Sequence, residues 1–317
     1  MKAVFLDYAT MGPDLDLAVL RGLFSSLDLF DDTSDDELAA RIKGVEFVFT
    51  NKIRLTDDIL RAANTLHYIG LTATGTDNID LETAREQGIA VANIRAYCTR
   101  SVVEHVIGSL LMLTHSLDRY NKSVQAGDWQ QASNFCMLNY PIREVSGMTL
   151  GIVGYGALGQ GVAAAAEALG MRVLISARPG ASSIPDDRVA FDQILARSDA
   201  ISLHCPLTDE SRGLFGAEAL GRMKRDAILI NTARGALVDS TALVAALESG
   251  HLFGAAIDVL SKEPPVEGDP LLDYAGDNLI MTPHIAWGTD KARQNAIDEL
   301  AANAKAYLAG KERNRIV

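Results

Sequence analysis

Residues 150–161 read LGIVGYGALGQG, an apolar strand that opens into three glycines spaced Gly154-x-Gly156-x-x-Gly159, followed by a helical pattern over 161–170. Each glycine meets a different steric demand. Gly154 permits the tight strand-to-helix turn, Gly156 lets backbone approach a pyrophosphate, and Gly159 lets the helix pack on the strand while its N-terminus faces the anion. Apolar stretches at 149–153 and 171–175 supply the two strands of a βαβ unit. That context turns a pattern common by chance into an expectation of dinucleotide binding.

The rest of the chain extends the same logic in both directions. Five apolar segments, 3–6, 27–30, 45–50, 68–71 and 89–93, alternate with helical patterns in the first hundred residues, which predicts a parallel sheet with crossover helices. Helix starts are legible between them. Ser34 with Glu37 forms a capping box, and Thr56 precedes Asp57 and Asp58, acids suited to a helix N-terminus. A long helical stretch over 101–121 leads through a loop at 129–143 to the glycine run. Further strands are expected at 172–176, 200–204, 227–231, 254–259 and 278–282. The last helix, 290–308, lies beyond the final strand and is expected to return to the first domain. The fold class is therefore α/β, with two Rossmann-like parallel-sheet domains. A flavodoxin-like substrate domain takes residues 1–98 and 289–317, a dinucleotide-binding domain takes 99–288, and two crossings leave an interdomain cleft.

Bulk properties narrow the partners. Of 317 residues, 48% are apolar and 22% charged, a composition long enough and apolar enough for two packed cores. No apolar run approaches the roughly 20 residues that cross a bilayer, and Asp7 follows the first apolar stretch too soon for a signal peptide. The net charge of −12 without a dense Lys/Arg cluster disfavours nucleic acid. Cys98, Cys136 and Cys205 are scattered and lack metal-ligand spacing, as reduced thiols in the cytoplasm would be. None reads as a nucleophile, and no metal site is expected.

In open α/β sheets ligands bind beyond the carboxyl ends of strands. Three polar residues fall there: Arg234 in ILINTARGALVD, Glu263 in AAIDVLSKEP and His284 in LIMTPHIAWG. An Arg holds a carboxylate in a fork and polarises a neighbouring carbonyl, a His exchanges a proton near neutral pH, and a Glu beside it favours the protonated ring. Together they suit reduction of a 2-keto acid. His67, His105, His115, His204 and His251 lack such company and read as structural. Trp129 reads as a packing residue, and Trp287 either packs or shapes the pocket.

These segments, in this order and spacing, resemble the D-isomer-specific 2-hydroxyacid dehydrogenase family over nearly the whole chain, and PHIAW with Asn51-Lys52 resembles its glycerate dehydrogenase/hydroxypyruvate reductase branch. The resemblance implies that Arg234 binds the substrate's carboxylate and ketone oxygen, His284 is the general acid/base, and Glu263 hydrogen-bonds and tunes it. It places substrate contacts at Ala73, Thr74 and Gly75, with Lys52 as a further candidate. It implies cofactor contacts at Gly154, Gly156, Ala157, Leu158, Gly159, Ala177, Arg178, Cys205, Pro206, Thr232, Ala233, Asp258 and Thr99, with Asp258 on the nicotinamide carboxamide. Family members are typically homodimers. The stretch 101–117 and the loop 135–140 are the candidate interface, although either could be internal core.

One departure bears on the cofactor, NAD(H) or NADP(H). The second strand of the nucleotide domain ends Ile175-Ser176-Ala177-Arg178, so no carboxylate reaches the adenosine ribose, and Arg178 could grip a 2′-phosphate. The balance leans to NADP(H). The expected substrates are hydroxypyruvate/glycerate or glyoxylate/glycolate. D-lactate-type and phosphoglycerate-type dehydrogenases are the nearer alternatives, although phosphoglycerate enzymes place an Arg where this chain has Thr50. Formate dehydrogenase relatives carry Gln in place of Glu263. A dinucleotide-sensing corepressor is the alternative of another class.

Overall fold

The computed structural model describes residues 1–181 and 183–317. They divide into two compact units, one of residues 1–98 and 288–317, the other of 99–287, so the second crossing falls one residue earlier than the sequence suggests.

Unit 1 is built on strands β1 (Lys2–Phe5), β2 (Ser26–Leu29), β3 (Phe47–Thr50), β4 (Tyr68–Leu71) and β5 (Ala90–Ala92). They pair in parallel in the order β2-β1-β3-β4-β5. Helices α1 (Ala18–Arg21), α2 (Asp35–Ile42), α3 (Asp57–Ala62) and α4 (Leu81–Glu86) make the crossovers. All four residues of β3 and of β4 are buried, the signature of strands covered on both faces. The two-residue period of a strand sorts the core. Val4, Leu6, Val48, Ile69 and Val91 face Leu38, Ile42 and Leu60 of α2 and α3, whereas Phe5, Phe47, Phe49 and Tyr68 form an aromatic layer on the other side. The capping box at Ser34 and Glu37 is formed and starts α2.

Unit 2 begins with α5 (Thr99–Thr114) and α6 (Leu117–Gln125) and continues with β6 (Thr149–Val153), α7 (Ala157–Ala168), β7 (Arg172–Ile175), α8 (Phe191–Arg197), β8 (Ala200–Leu203), α9 (Ala217–Arg222), β9 (Ala227–Asn231), α10 (Ser240–Glu248), β10 (Leu252–Ile257) and β11 (Leu279–Met281). Its strands are all parallel, in the order β11-β10-β9-β8-β6-β7. A one-residue bridge from Val189 to Ser176 stands beside β7 as the stub of a further strand. Strand order therefore reverses between β6 and β8, and the crevice beyond their carboxyl ends is where an open α/β sheet takes its ligand. Helix α11 (Asp290–Leu308) belongs to unit 1, as its place after the last strand implies. It lies on β4 so closely that a Cβ at Gly70 would stand 2.8 Å from Leu300 Cδ1.

Three local expectations need correction. The single helix over 101–121 is two helices, because Thr114 Oγ1 bonds back to the Leu110 carbonyl at 2.8 Å and Ser116 takes a left-handed φ of 51°, a pairing that bends and ends helices. Helix α7 starts at Ala157, four residues before the pattern suggests, with Gly156 as its N-cap and Gly159 inside the first turn. Trp129 is not a packing residue. It is 53% exposed, and its indole N–H donates to the Phe135 carbonyl on a surface arm.

Candidate active site

The glycine loop has the geometry a phosphate cradle requires. Gly154 takes φ +97°, and a Cβ there would stand 2.4 Å from the backbone N of Cys205, so only glycine lets the β6 turn pass beside the end of β8. A Cβ at Gly159 would meet the Gly154 carbonyl at 2.1 Å, whereas one at Gly156 would meet open space. That open side faces the start of α7, whose first-turn N–H groups at Ala157, Leu158 and Gly159 have no partner within the helix. No acidic residue sits in that turn to oppose an anion. Thr99, the first residue of α5, lies against α7, with its Cγ2 3.3 Å from the place of a Cβ on Gly161. Ala177 is buried just past β7, and Arg178 is exposed beside it. Arg178 also helps, after Thr208, to hold the carboxyl of exposed Glu210 below its usual range.

Adjacent strand ends supply the next polar groups. Leu203 and Asn231 are register partners, so His204 and Thr232 follow side by side. Among the described residues, His204 Nδ1 and Thr232 Oγ1 are both buried without a hydrogen-bond partner, as groups lining a ligand crevice would be before it is filled. His204 Nε2 lies 2.8 Å from Ser202 Oγ, and burial pushes the His204 pKa down to about 4. The unfolded chain therefore binds a proton that the folded chain refuses between that value and the ordinary 6.5. Stability is fully present above pH 6.5 and is lost progressively as pH falls toward 4, by about 3 kcal/mol in all. His204→Gln keeps a donor for Ser202 but does not titrate. Its melting temperature is expected to fall less than the wild type's between neutral pH and pH 4.5, and superimposable pH profiles would contradict this. Next in the chain, burial raises the Cys205 thiol, which makes it a poor nucleophile. Pro206 is exposed, and its carbonyl accepts from Ser211.

Arg234 stands on a turn built by its neighbours. Asn231, fully buried at the end of β9, spends both ends of its amide there: Nδ2 donates to the Arg234 carbonyl at 2.9 Å, and Oδ1 accepts from the Ala233 N–H at 3.0 Å. The guanidinium is half-buried and donates to the Ala233 carbonyl at 2.7 Å. Gly235 then brings this turn against the next loop, since a Cβ there would stand 1.9 Å from the carbonyl carbon of Leu260.

Leu260 leads to the acid and the imidazole. Its N–H donates to Glu263 Oε1 at 2.8 Å, and Glu263 Oε2 accepts from His284 Nδ1 at 2.6 Å. A carboxylate only accepts, so the proton of that bond belongs to Nδ1, and Nε2 is the ring atom that this bond leaves available. His284 takes φ +55°, a left-handed conformation that costs a side-chain-bearing residue about 1 kcal/mol and more and persists where surroundings enforce it. Its N–H donates to the Asp258 carbonyl at 2.7 Å, and its own carbonyl accepts from Trp287 Nε1 at 2.9 Å. A pocket of about 420 Å³, walled by Leu260, Pro264, Leu272 and Met281, adjoins the pair.

Comparison with known proteins gives this arrangement its context. The profile of the D-isomer-specific 2-hydroxyacid dehydrogenase NAD-binding domain matches residues 107–286. The chain is 45% identical over 280 residues to the glycerate dehydrogenase of Methylorubrum extorquens, covering 88% of each chain. It is 36% identical over 317 residues to the hydroxypyruvate reductase of Blautia hydrogenotrophica, covering 98% of each. The structure of an acyclic imino acid reductase in complex with NADPH and D-Arg superposes with a TM-score of 0.86 at 26% identity, covering 100% of both chains. The chain belongs to the D-isomer-specific 2-hydroxyacid dehydrogenase family. As a 2-hydroxyacid dehydrogenase it is an oxidoreductase that works on a CH–OH group with a nicotinamide cofactor, and the open cradle at Gly156 and the unpartnered His204 and Thr232 atoms suit that cofactor.

Some sequence-derived positions of the dehydrogenase have structural partners that sequence could not show. Asp258 is 2% exposed, and its carboxylate is already engaged by Thr282 Oγ1 at 2.6 Å and by the N–H groups of Ile285 and Ala286, each at 2.9 Å. It holds the loop that carries His284. In unit 1, Ala73–Gly75 is a loop tied to residues 93 and 94: Asn93 Nδ2 donates to the Thr74 carbonyl at 2.7 Å, and Thr74 Oγ1 to the Ile94 carbonyl at 3.0 Å. Lys52 is exposed, with its backbone N–H on Asp7 Oδ2 at 2.6 Å. Asn51 donates its own N–H to the same carboxylate at 2.9 Å. Burial raises the pKa of Asp7, against the lowering effect of those bonds.

Asn231 and Gly235 are supports that sequence reasoning missed, and Trp287, read there as packing or pocket-shaping, braces the His284 carbonyl. Asn231 and Gly235, on either side of Thr232-Ala233-Arg234, were the available signal. Glu263→Gln preserves the shape of the dyad, its amide oxygen still accepting from Nδ1, but removes the negative charge that favours the protonated ring. A loss of about 10- to 100-fold in kcat for keto-acid reduction is expected. An unchanged kcat would leave Glu263 as packing alone.

Proposed function

We propose that this chain reduces hydroxypyruvate and glyoxylate to the D-2-hydroxy acids and prefers NADPH to NADH. The observation that carries the reading is the 2.6 Å bond between His284 Nδ1 and Glu263, which fixes the tautomer and directs a protonatable Nε2 outward from a strand end of the NAD-binding unit. A nicotinamide dinucleotide bound at the glycine loop supplies a hydride to the keto carbon. Arg234 grips the substrate's carboxylate with its fork and polarises the ketone, and His284 passes its Nε2 proton to the oxygen as negative charge develops there. Glu263 opposes the positive ring while it carries the proton. Ala73, Thr74 and Gly75 belong to the proposal as backbone donors to the carboxylate, and Lys52 as a further cation. The names of the two curated relatives support the substrates. Thr50, fully buried and uncharged where phosphoglycerate enzymes carry an Arg, speaks against a phosphorylated acid.

For the cofactor, Gly154, Gly156, Ala157, Leu158 and Gly159 take the pyrophosphate, and Thr99, Cys205, Pro206, Thr232, Ala233 and Asp258 complete the contacts. Exposed Arg178, with no acid at buried Ala177, favours a 2′-phosphate over a free ribose hydroxyl. A steady-state panel of hydroxypyruvate, glyoxylate, pyruvate and phosphohydroxypyruvate with each cofactor tests the whole reading. The first two acids are expected to lead in kcat/KM, with a NADPH-to-NADH ratio above one that Arg178→Ala lowers. A ratio below one overturns the cofactor preference, and phosphohydroxypyruvate in the lead overturns the substrate.

We also assign homodimerisation to unit 2. Helix α5 is occupied internally, with Val102, Val106, Leu110 and Leu113 in the core, whereas the arm exposes Phe135 at 90% and Leu138 at 77%. An arm of that apolar character suits a second copy of this chain. Among the described residues no helix is long and apolar enough to cross a membrane, and free cysteines at 98, 136 and 205 suit the cytoplasm.

A further inference from the structure

Helix α5 carries two polar side chains one turn apart, Ser101 and His105, on the face turned toward the loop of residues 282–286. Ser101 Oγ donates to the Ala286 carbonyl at 2.7 Å, and His105 Nε2 lies 3.2 Å from Thr282 Oγ1. These two contacts fall on either side of His284. We propose that Ser101 and His105 are positioning residues that clamp both ends of the catalytic loop and, through Thr282 and Asp258, hold His284 in its left-handed conformation. This rests on the reading of His284 as the proton donor.

The direction of each hydrogen bond follows from the atoms present. Thr282 Oγ1 stands 2.6 Å from Asp258 Oδ1, and a carboxylate has nothing to donate, so the single hydroxyl proton goes to Asp258. The hydroxyl oxygen is then an acceptor toward His105, and His105 must carry its proton on Nε2. The ring also faces Asp258 Oδ1 at 3.9 Å, an orientation the same Nε2–H satisfies. Asp258, held from below by Thr282, turns its two oxygens to the N–H groups of Ile285 and Ala286, while its carbonyl takes the His284 N–H. The loop is thus fixed at 282, 284, 285 and 286 by one carboxylate residue and one helix face. Spacing alone made His105 look structural, because its partners lie 177 and 153 residues away along the chain.

Four variants and one spectrum test the clamp. His105→Met removes the donor but keeps the bulk, Ser101→Ala removes the other contact, and His105→Gln retains a side-chain N–H that reaches Thr282. The Met and Ala changes combined are expected to lower kcat for hydroxypyruvate by about 10- to 100-fold, the cost of a displaced catalytic group. KM and the dissociation constant for NADPH, titrated by its fluorescence, should stay within about twofold, and His105→Gln alone should recover most of the wild-type kcat. In the cofactor-free protein, 15N spectra of labelled histidine should show His105 as the Nε2–H tautomer at mildly alkaline pH. Thr282→Val should abolish that preference. Wild-type kcat in His105→Met, a Gln variant as impaired as the Met variant, or an Nδ1–H tautomer would each overturn the proposal. If the wild type reduced none of the acids, the functional reading would fall, and the tautomer with its response to Thr282→Val would still decide whether the clamp exists.

Discussion

His284→Asn is expected to lower kcat for hydroxypyruvate reduction by about 10³-fold, within the range that a positioned general acid contributes. Asn is the informative replacement because it tolerates a left-handed backbone, so the loop keeps its path. Its amide can satisfy Glu263, yet it has no proton to give at neutral pH. Cofactor affinity should hardly change, because the glycine cradle after β6 and the His284 loop after β11 are separate elements of unit 2. A split between lost turnover and intact NADPH binding, read by steady-state kinetics beside a fluorescence titration, is what the general-acid role requires. Turnover within severalfold of wild type would remove His284 from the chemistry.

Arg234→Gln is expected to cost about 10³-fold in kcat/KM, since it deletes the charge proposed to meet both the carboxylate and the developing alkoxide. The comparison with Arg234→Lys carries more information than the loss itself. Lysine restores a point charge without the planar fork, and the turn set by Asn231 and Gly235 fixes where that fork originates. Lysine should therefore recover part of KM and little of kcat. Full activity with lysine would mean that Arg234 acts through its charge alone. A tenfold effect or less with glutamine would move carboxylate recognition elsewhere.

All eleven strands were legible because parallel strands covered on both faces leave nearly unbroken apolar runs, as in β3, β8 and β9. Two of the three glycines were legible for a related reason: Gly154 and Gly159 answer close backbone approaches that no other residue meets, whereas Gly156 borders open space and its demand is that of the proposed pyrophosphate. What stayed hidden depends on residues far apart in sequence. The break at Ser116 follows from Thr114 turning back on its own helix, a competition that apolar periodicity does not register. Resemblance alone marks Asp258 as a cofactor contact, and its hydrogen bonds to residues 282, 285 and 286 across the strand ends are a further role that spacing does not register. Trp129 looks like core by residue type and is half exposed, its indole N–H tied to the carbonyl of Phe135 in the same arm. The trio proposed as catalytic was picked out by residue type at strand ends, and the structure joins two of its members, Glu263 and His284, in a hydrogen bond. Of the residues around the trio, Asn231 and Gly235 left a trace in the sequence, whereas the contacts of Ser101 and His105 with residues 286 and 282 required coordinates.

The account turns on a hydride reaching the keto carbon of a small 2-keto acid while His284 protonates its oxygen on a fixed side. The most direct measurement is the configuration and isotope content of the product when hydroxypyruvate is reduced with NADPH deuterated at the transferable position. D-glycerate carrying deuterium at C2 is the predicted result, and the L-isomer, or no glycerate at all, would contradict it.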